Sequence, residues 1–225
     1  MKSITLTISL IFSIILSTFG QENVSQLTKF KYFSKDSIES KRYYDFSLKH
    51  LGVKNGENVA SIGAGNGNNE IQIAIQMEDV EFTLQEIDSV SLNLDVFNQI
   101  KNHYEKIMGR KINNPFSIVI GNQKQTNLLP NTYDRIIVLN TYHEVTDRQS
   151  IMFDVSRSLR KNGFVVIMES MARKKGQKHQ GCNHLKLSEA DFISEMEGFN
   201  FKLVSRYQHK KSNTQTFYTF QRTQI

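Results

Sequence analysis

Apolar residues follow two rhythms along the chain. The stretches "ENVASIG", "VEFTLQEID", "PFSIVIG", "YDRIIVLN" and "FVVIME" are short, rich in Val, Ile and Phe, and bounded by Gly, Pro or Asn. That pattern predicts buried strands. Between them the spacing turns helical. "SKDSIESKRYYDFSLKHLG" carries Ile38, Phe46 and Leu51 on one side, a cap at Asp36 with Glu39 three residues on, and Gly52 as terminator. "NNEIQIAIQM" predicts a short helix packing through Ile71, Ala74 and Ile75. A longer helix is predicted from Ser89 to Met108, closed by Gly109, and another over "TDRQSIMFDVSRSLRKNG", capped by Thr146 and stopped by Gly163. Alternating strand and helix means parallel strands joined by right-handed crossovers, hence an α/β fold with helices on both sheet faces.

The C-terminal part breaks the alternation. After "LSEADFISEMEGF", a helix capped by Ser188 with Asp191, come "NFKLVSRY" and "TQTFYTFQR", separated only by "QHKKSN". Strands that close together must pair antiparallel, so the sheet ends in a hairpin. There is no internal repeat, and with Pro115 and Pro130 the only prolines, no interdomain linker.

At 225 residues the chain suits one domain. Residues 1–20, "MKSITLTISLIFSIILSTFG", place Lys2 before an apolar run from Ile4 to Phe19, with small Thr18 and Gly20 ahead of Gln21. This predicts a cleaved secretory signal and an exported, periplasmic or secreted protein; the alternative is a membrane anchor. Residues 21–52 form a helical lead-in and 53–225 the main domain. Lys and Arg number 28 against 22 acidic residues, a net charge of +6. Losing Lys2 with the signal would leave +5. A basic balance attracts anionic partners without identifying one. Cys182, the single cysteine, forbids an internal disulfide. It lies in "HQGCNH" between His179 and His184, which reads as a polar loop; zinc would need a fourth ligand, so no metal is expected.

The chemistry starts at "VASIGAGNGNNE". A strand running into Gly63, Gly65 and Gly67 and then into a helix presents bare backbone N–H groups to a nucleotide-like cofactor. The dinucleotide fingerprint G-x-G-x-x-G wants its third glycine where Asn68 stands, which argues against NAD.

With the terminal hairpin, this loop resembles that of the class I S-adenosylmethionine-dependent methyltransferases, whose sheet is Rossmann-like with seven strands, the last inserted antiparallel. The resemblance runs from about residue 53 to the C-terminus. It rests on "VASIGAGNG", on "LQEID" with Glu86 lying 23 residues after Gly63, on "IGNQKQTNLLPNTYDRIIVLNTYHEV" and on "SRSLRKNGFVVIMES". It implies S-adenosylmethionine held by Ser61, Gly63, Ala64, Gly65, Gly67, Glu86, Ile87, Asn122, Gln123 and Asn140. The methionine part would lie over Gly63 and Gly65, the ribose on Glu86, whose two oxygens suit a vicinal diol, and the adenine between Ile87 and Asn122 with Gln123. Two positions depart from the family pattern: Ser61 and Asn122 stand where it has acids. Asn122 still carries a carbonyl acceptor, and Glu70 offers a carboxylate in place of the one missing at Ser61. Without ligand, Glu70 reads as a helix N-terminal acid favoured by the dipole.

Transfer requires an aligned nucleophile, sometimes deprotonated. In "NTYHEV", Asn140, Tyr142, His143 and Glu144 leave the fourth strand toward the cofactor crevice, and His143 is the first candidate base because imidazole titrates near neutrality. A structural role capping a backbone carbonyl is the other reading of His143. "NTYH" is not the N-P-P-Y pattern of amino-group methylating enzymes. "NHLKLSEADFISEMEGFNFKLV" is similar to a segment of small-molecule and exported methyltransferases, which makes His184 a substrate candidate. Two basic clusters, Arg173, Lys174, Lys175 and Lys178 after strand five and His209, Lys210 and Lys211 after strand six, should flank the mouth. They predict a small-molecule or lipid-like, anionic acceptor, or contact with an anionic membrane surface. Nucleic acid is disfavoured, since charge alone supports it. The competing reading is a non-catalytic exported binding module that keeps the fold.

Overall fold

The computed structural model describes residues 33–208 and 215–223. The chain forms β1 (Asn58–Ile62), β2 (Glu81–Glu86), β3 (Phe116–Ile120), β4 (Tyr133–Leu139), β5 (Leu159–Glu169), β6 (Phe201–Gln208) and β7 (Thr216–Arg222). They join in one seven-stranded sheet of order β3-β2-β1-β4-β5-β7-β6. Pairs from β3 through β5 are parallel, and β7 inserts antiparallel between β5 and β6. The expected fold is present, hairpin included.

Alternate residues of the central strands face opposite layers, as the two-residue period of a strand requires. Val59, Ile137 and Val166 point into one core with α1 (Ser37–Phe46), α2 (Asn68–Ala74) and α3 (Leu94–Met108), where Ile71, Phe97, Ile100 and Tyr104 are buried. Ala60, Ile136, Val138 and Val165 face the second core with α4 (Arg148–Ser158) and α5 (Glu189–Gly198), built on Val155, Phe192 and Met196. Strands apolar on both faces are what a doubly covered parallel sheet needs.

Caps decide the helix ends. Asp36 and Ser188 cap α1 and α5 as expected, each accepting from the N–H three residues on. α1 gives way at Ser47 to a 3-10 turn over Leu48–Leu51, which Gly52 closes with φ 66°. Three expected boundaries move. α4 is capped by Asp147, which accepts from Ser150 N–H at 3.1 Å, and not by Thr146. α3 begins at Leu94, because Asn93 takes the N–H groups of Asp95 and Val96 while Asp88 folds residues 88–91 into their own turn. α4 stops at Ser158 and not at Gly163. Leu159 already pairs with Tyr133, and Gly163 sits inside β5 with Tyr133 and Asp134 carbonyls where a Cβ would stand.

Among the described residues no helix is long and apolar enough to cross a membrane. The predicted signal and the cluster His209, Lys210 and Lys211 lie outside the described residues.

Candidate functional site

The chain runs outward from β1 to β3 and then returns to β4, so sheet order reverses between β1 and β4. Open parallel sheets bind ligands at the carboxyl ends of their strands at such a switch point. A cavity of about 280 Å³ opens there. Its walls come from the ends of four strands: Ile62, Gly63 and Gly65 after β1, Gln85, Glu86 and Ile87 at β2, Asn122 and Gln123 after β3, and Thr141 after β4. Glu144, Val145, Thr146 and Ile151 close the remaining side.

The glycine turn is shaped by backbone geometry. Gly63 holds φ 66°, and a Cβ there would lie 2.3 Å from the Thr141 side chain. Gly65 holds φ 57° with open space where a Cβ would project, so its bare main chain faces the cavity. Glu86 braces this turn. One carboxylate oxygen accepts the Gly65 N–H at 2.9 Å, and the other accepts Ile87 N–H at 2.8 Å and Asp88 N–H at 3.3 Å. Three of its roughly four acceptor positions are therefore engaged. Ile87 is 53% exposed, an apolar shelf rather than a core residue.

Several expected cofactor residues stand elsewhere. Ser61 is buried behind the turn and donates its hydroxyl to Glu70 at 2.6 Å. Glu70 is itself 1% exposed, and its Oε2 has no hydrogen-bond partner. Burial pushes the Glu70 carboxyl up to about 7; the Ser61 bond opposes this and the Glu86 charge adds to it. Glu70 thus does bring an acid to Ser61, but beneath the cavity floor and not in the cavity wall. Ala64 is buried and ties its N–H to the Gln85 carbonyl at 3.0 Å. Gly67 is a packing glycine: a Cβ would come within 2.6 Å of Leu84 and 2.8 Å of Phe97. Asn122 lines the cavity, yet its carbonyl oxygen accepts Lys124 and Gln125 N–H at 2.8 and 3.0 Å, so the acceptor expected for adenine is spent on the turn.

The expected catalytic trio is redistributed as well. Asn140 takes a left-handed φ of 55° and donates its N–H to Met168 at 2.7 Å, away from the cavity lining. Tyr142 is 2% exposed, edge-on to Phe192, and its hydroxyl has no partner. Burial holds that phenol well above its ordinary range, which removes it from proton transfer. His143 is buried beside the cavity, with Nδ1 at 2.8 Å from Glu169 and its main-chain N–H on the same carboxylate oxygen at 3.3 Å. Glu169, at the end of β5, escaped the sequence reading. So did Thr141, Gln85 and Val145 of the cavity wall, for which local sequence carries no signal.

The loop after β5 folds back over His143. The His179 ring stands 4.3 Å from the His143 ring, and the exposed His184 ring 6.5 Å from it. Burial and the neighbouring His143 lower the His179 pKa. Arg173, Lys174, Lys175 and Lys178 are exposed on the same loop. Among the titratable side chains of the described residues, only Glu86 and Glu144 line the main cavity.

No protein-family model matches the sequence, and no curated protein does. Solved structures do match in fold. A SAM-dependent methyltransferase from Aquifex aeolicus superposes with TM-score 0.59 at 15% identity, over 83% of this chain and 98% of that one. The glycopeptide N-methyltransferase MtfA, complexed with sinefungin, gives 0.58 at 11%, over 85% and 88%. The [4+2]-cyclase SpnF gives 0.59 at 12%, over 76% of this chain and 60% of that one. At these identities the likeness is one of fold.

Proposed function

We propose that the cavity at the β1–β4 switch point binds S-adenosylmethionine and that the protein transfers its methyl group to a small-molecule or lipid-like acceptor. One observation carries the reading: the bare main chain at Gly63 and Gly65 and the Glu86 carboxylate converge on one cavity of about 280 Å³, near the small end of cofactor-sized pockets. The residues fit that cofactor. Open space beside Gly65 admits a ligand against the backbone, Ile87 gives a flat apolar surface for a purine, and Glu86 offers acceptors to a ribose. Since Glu86 already accepts three N–H groups, a diol must share or displace the Gly65 bond, so binding rearranges the turn.

The bound cofactor supplies an electrophilic methyl on sulfur; the chain supplies orientation, water exclusion and, where needed, proton removal. Glu144, at the cavity wall and half-exposed, is the group placed to accept a proton from an acceptor. A carboxylate base suits an acceptor that is already nucleophilic or acidic. The exposed Arg173, Lys174, Lys175 and Lys178 support an anionic acceptor or an anionic surface beside the mouth. The apolar run after Lys2 supports export or anchoring, and locating the N-terminus of the chain recovered from its native compartment tests it.

A second reading, a binding module that keeps the fold without transfer, is favoured by the spent acceptor of Asn122 and by the burial of Tyr142. Incubation with methyl-labelled cofactor and anionic small-molecule and lipid fractions separates the two. Transfer that is lost in Glu86→Ala supports the enzyme. Cofactor binding without label transfer to any fraction supports the module.

A further inference from the structure

Beside the cavity, on the ends of β4 and β5, lies a second cluster with different chemistry. His143 Nδ1 faces the carboxylate of Glu169 at 2.8 Å. A carboxylate only accepts, so Nδ1 donates to Glu169 and Nε2 is turned away from it, 3.7 Å from a Glu144 oxygen. That Nε2 is buried and has no hydrogen-bond partner, while the side chain as a whole is 3% exposed. A buried acceptor left unmade is costly, and such atoms are uncommon in native structures.

A ligand set gathers around this ring. One nitrogen of His143, one of His179 and the Cys182 sulfur all lie within 4.8 Å of one another, and His179 Nδ1 is 3.2 Å from Cys182 Sγ. A second trio, Glu144, Cys182 and His184, meets the same limit and shares the sulfur. The loop is folded to present them together. Lys178 bridges Leu185 as an antiparallel pair, His179 N–H donates to the His184 carbonyl at 2.8 Å, and Asn183, at φ 63°, donates its N–H to the His179 carbonyl at 3.0 Å. His179 and Cys182 thereby come onto His143, which arrives from a different strand, while His184 stands farther off beside Glu144 and the shared sulfur.

We infer that His143, His179 and Cys182 form a binding site for one zinc ion. Imidazole and thiolate ligands select a borderline-soft divalent metal over magnesium or calcium. A carboxylate behind the distal nitrogen of a ligating histidine is the usual outer-shell support, and Glu169 stands there. Tetrahedral zinc holds its ligand atoms roughly 3.5 Å apart, so a small inward closing of the turn completes the set. Three protein ligands leave a fourth position for water, Glu144, His184 or a bound oxygen ligand, the arrangement of an open site rather than a closed structural one. Glu144 also lines the main cavity, so the ion sits at the edge of the proposed methyl-transfer site. The zinc assignment does not rest on that activity.

The test uses the full-length chain, reduced and stripped with chelator, without S-adenosylmethionine. Zinc is titrated against a chromophoric competitor, and cobalt(II) is substituted as an optical probe. One zinc per chain and a cobalt–thiolate charge-transfer band are expected. Cys182→Ser should abolish the band, and His179→Ala should weaken zinc at least tenfold. Glu169→Gln, which keeps the shape of the buried side chain, should weaken zinc by about 10- to 100-fold while the far-ultraviolet circular dichroism is unchanged. His179 and Cys182 are partly exposed loop residues, so their replacement spares the core. Absence of stoichiometric zinc binding, or zinc bound as tightly by Cys182→Ser and His179→Ala as by the parent chain, would overturn the assignment and leave the cofactor reading untouched.

Discussion

The two sites lie side by side on one sheet edge yet are built from opposite materials. The cavity at the ends of β1 to β4 is organised around main chain at its glycine turn: Gly63 and Gly65 in left-handed conformations, the Gly65 N–H group, and the Glu86 carboxylate that braces it. The cluster at the ends of β4 and β5 is made of side chains, two imidazoles, a thiol and a supporting carboxylate. Backbone sites are written in contiguous sequence, because a turn needs its glycines in order. Side-chain sites are written across strands, because only sheet pairing brings Asn140–Glu144 beside Glu169 and the loop that follows it. The first is shaped by local geometry, the second by tertiary assembly.

The largest expected effect breaks both at once. Gly67→Val places a branched side chain at φ 80° against Leu84 and Phe97, so strain and overpacking should cost about 3 kcal/mol or more. Chemical denaturation should show it, with ligand and metal binding lost together. Next comes Glu70. Its folded pKa of about 7 lies above the ordinary carboxylate value of 4.5, so the folded state holds the proton more tightly and stability falls as pH rises across that window, levelling off above it. The total fall should be on the order of 3 kcal/mol. Glu70→Gln keeps an acceptor for Ser61 and should flatten the profile, making the variant the more stable one at pH 8. A parent profile as flat as the variant's would show that the buried carboxyl does not titrate as described.

The fold class was legible in the sequence, since alternating strand and helix patterns dictate a parallel sheet and one short polar turn dictates its terminal hairpin; the insertion of β7 between β5 and β6 was implied only by the family resemblance. Boundaries were missed where two signals compete. "LRKNG" reads as a helix end, but Leu159 gains a strand partner in Tyr133, and tertiary pairing outweighs the local pattern. Asp147 outbids Thr146 because its carboxylate reaches the Ser150 N–H and hydroxyl at 3.1 and 2.9 Å. Of the residues expected to hold a cofactor, Gly63, Gly65, Glu86, Ile87, Asn122 and Gln123 line one cavity. Ser61, Ala64, Gly67 and Asn140 do not, because they shape the strand ends from behind. The Glu169 support of His143 carried no local signal at all.

Smaller effects sharpen the contrast. Ile87→Ala removes the apolar shelf and should weaken S-adenosylmethionine about fivefold, roughly 1 kcal/mol, in equilibrium dialysis, with zinc affinity unmoved. Cys182→Ser should do the reverse, leaving cofactor affinity within about twofold. Glu144→Gln should change cofactor affinity least while lowering transfer to an acceptor by about 100-fold, the low end for a proton acceptor. Equal loss of cofactor binding in the Ile87 and Cys182 variants would erase the distinction between the two sites.

Gly63, Gly65 and Glu86 are proposed to hold the adenosyl cofactor together. Calorimetric titration of S-adenosylmethionine into the parent chain and into Glu86→Ala tests it directly. Losing a charged acceptor of about 1.5–3 kcal/mol predicts micromolar binding in the parent and affinity roughly 10- to 150-fold weaker in the variant. Identical affinities, or no heat from the parent at millimolar cofactor, would contradict the account.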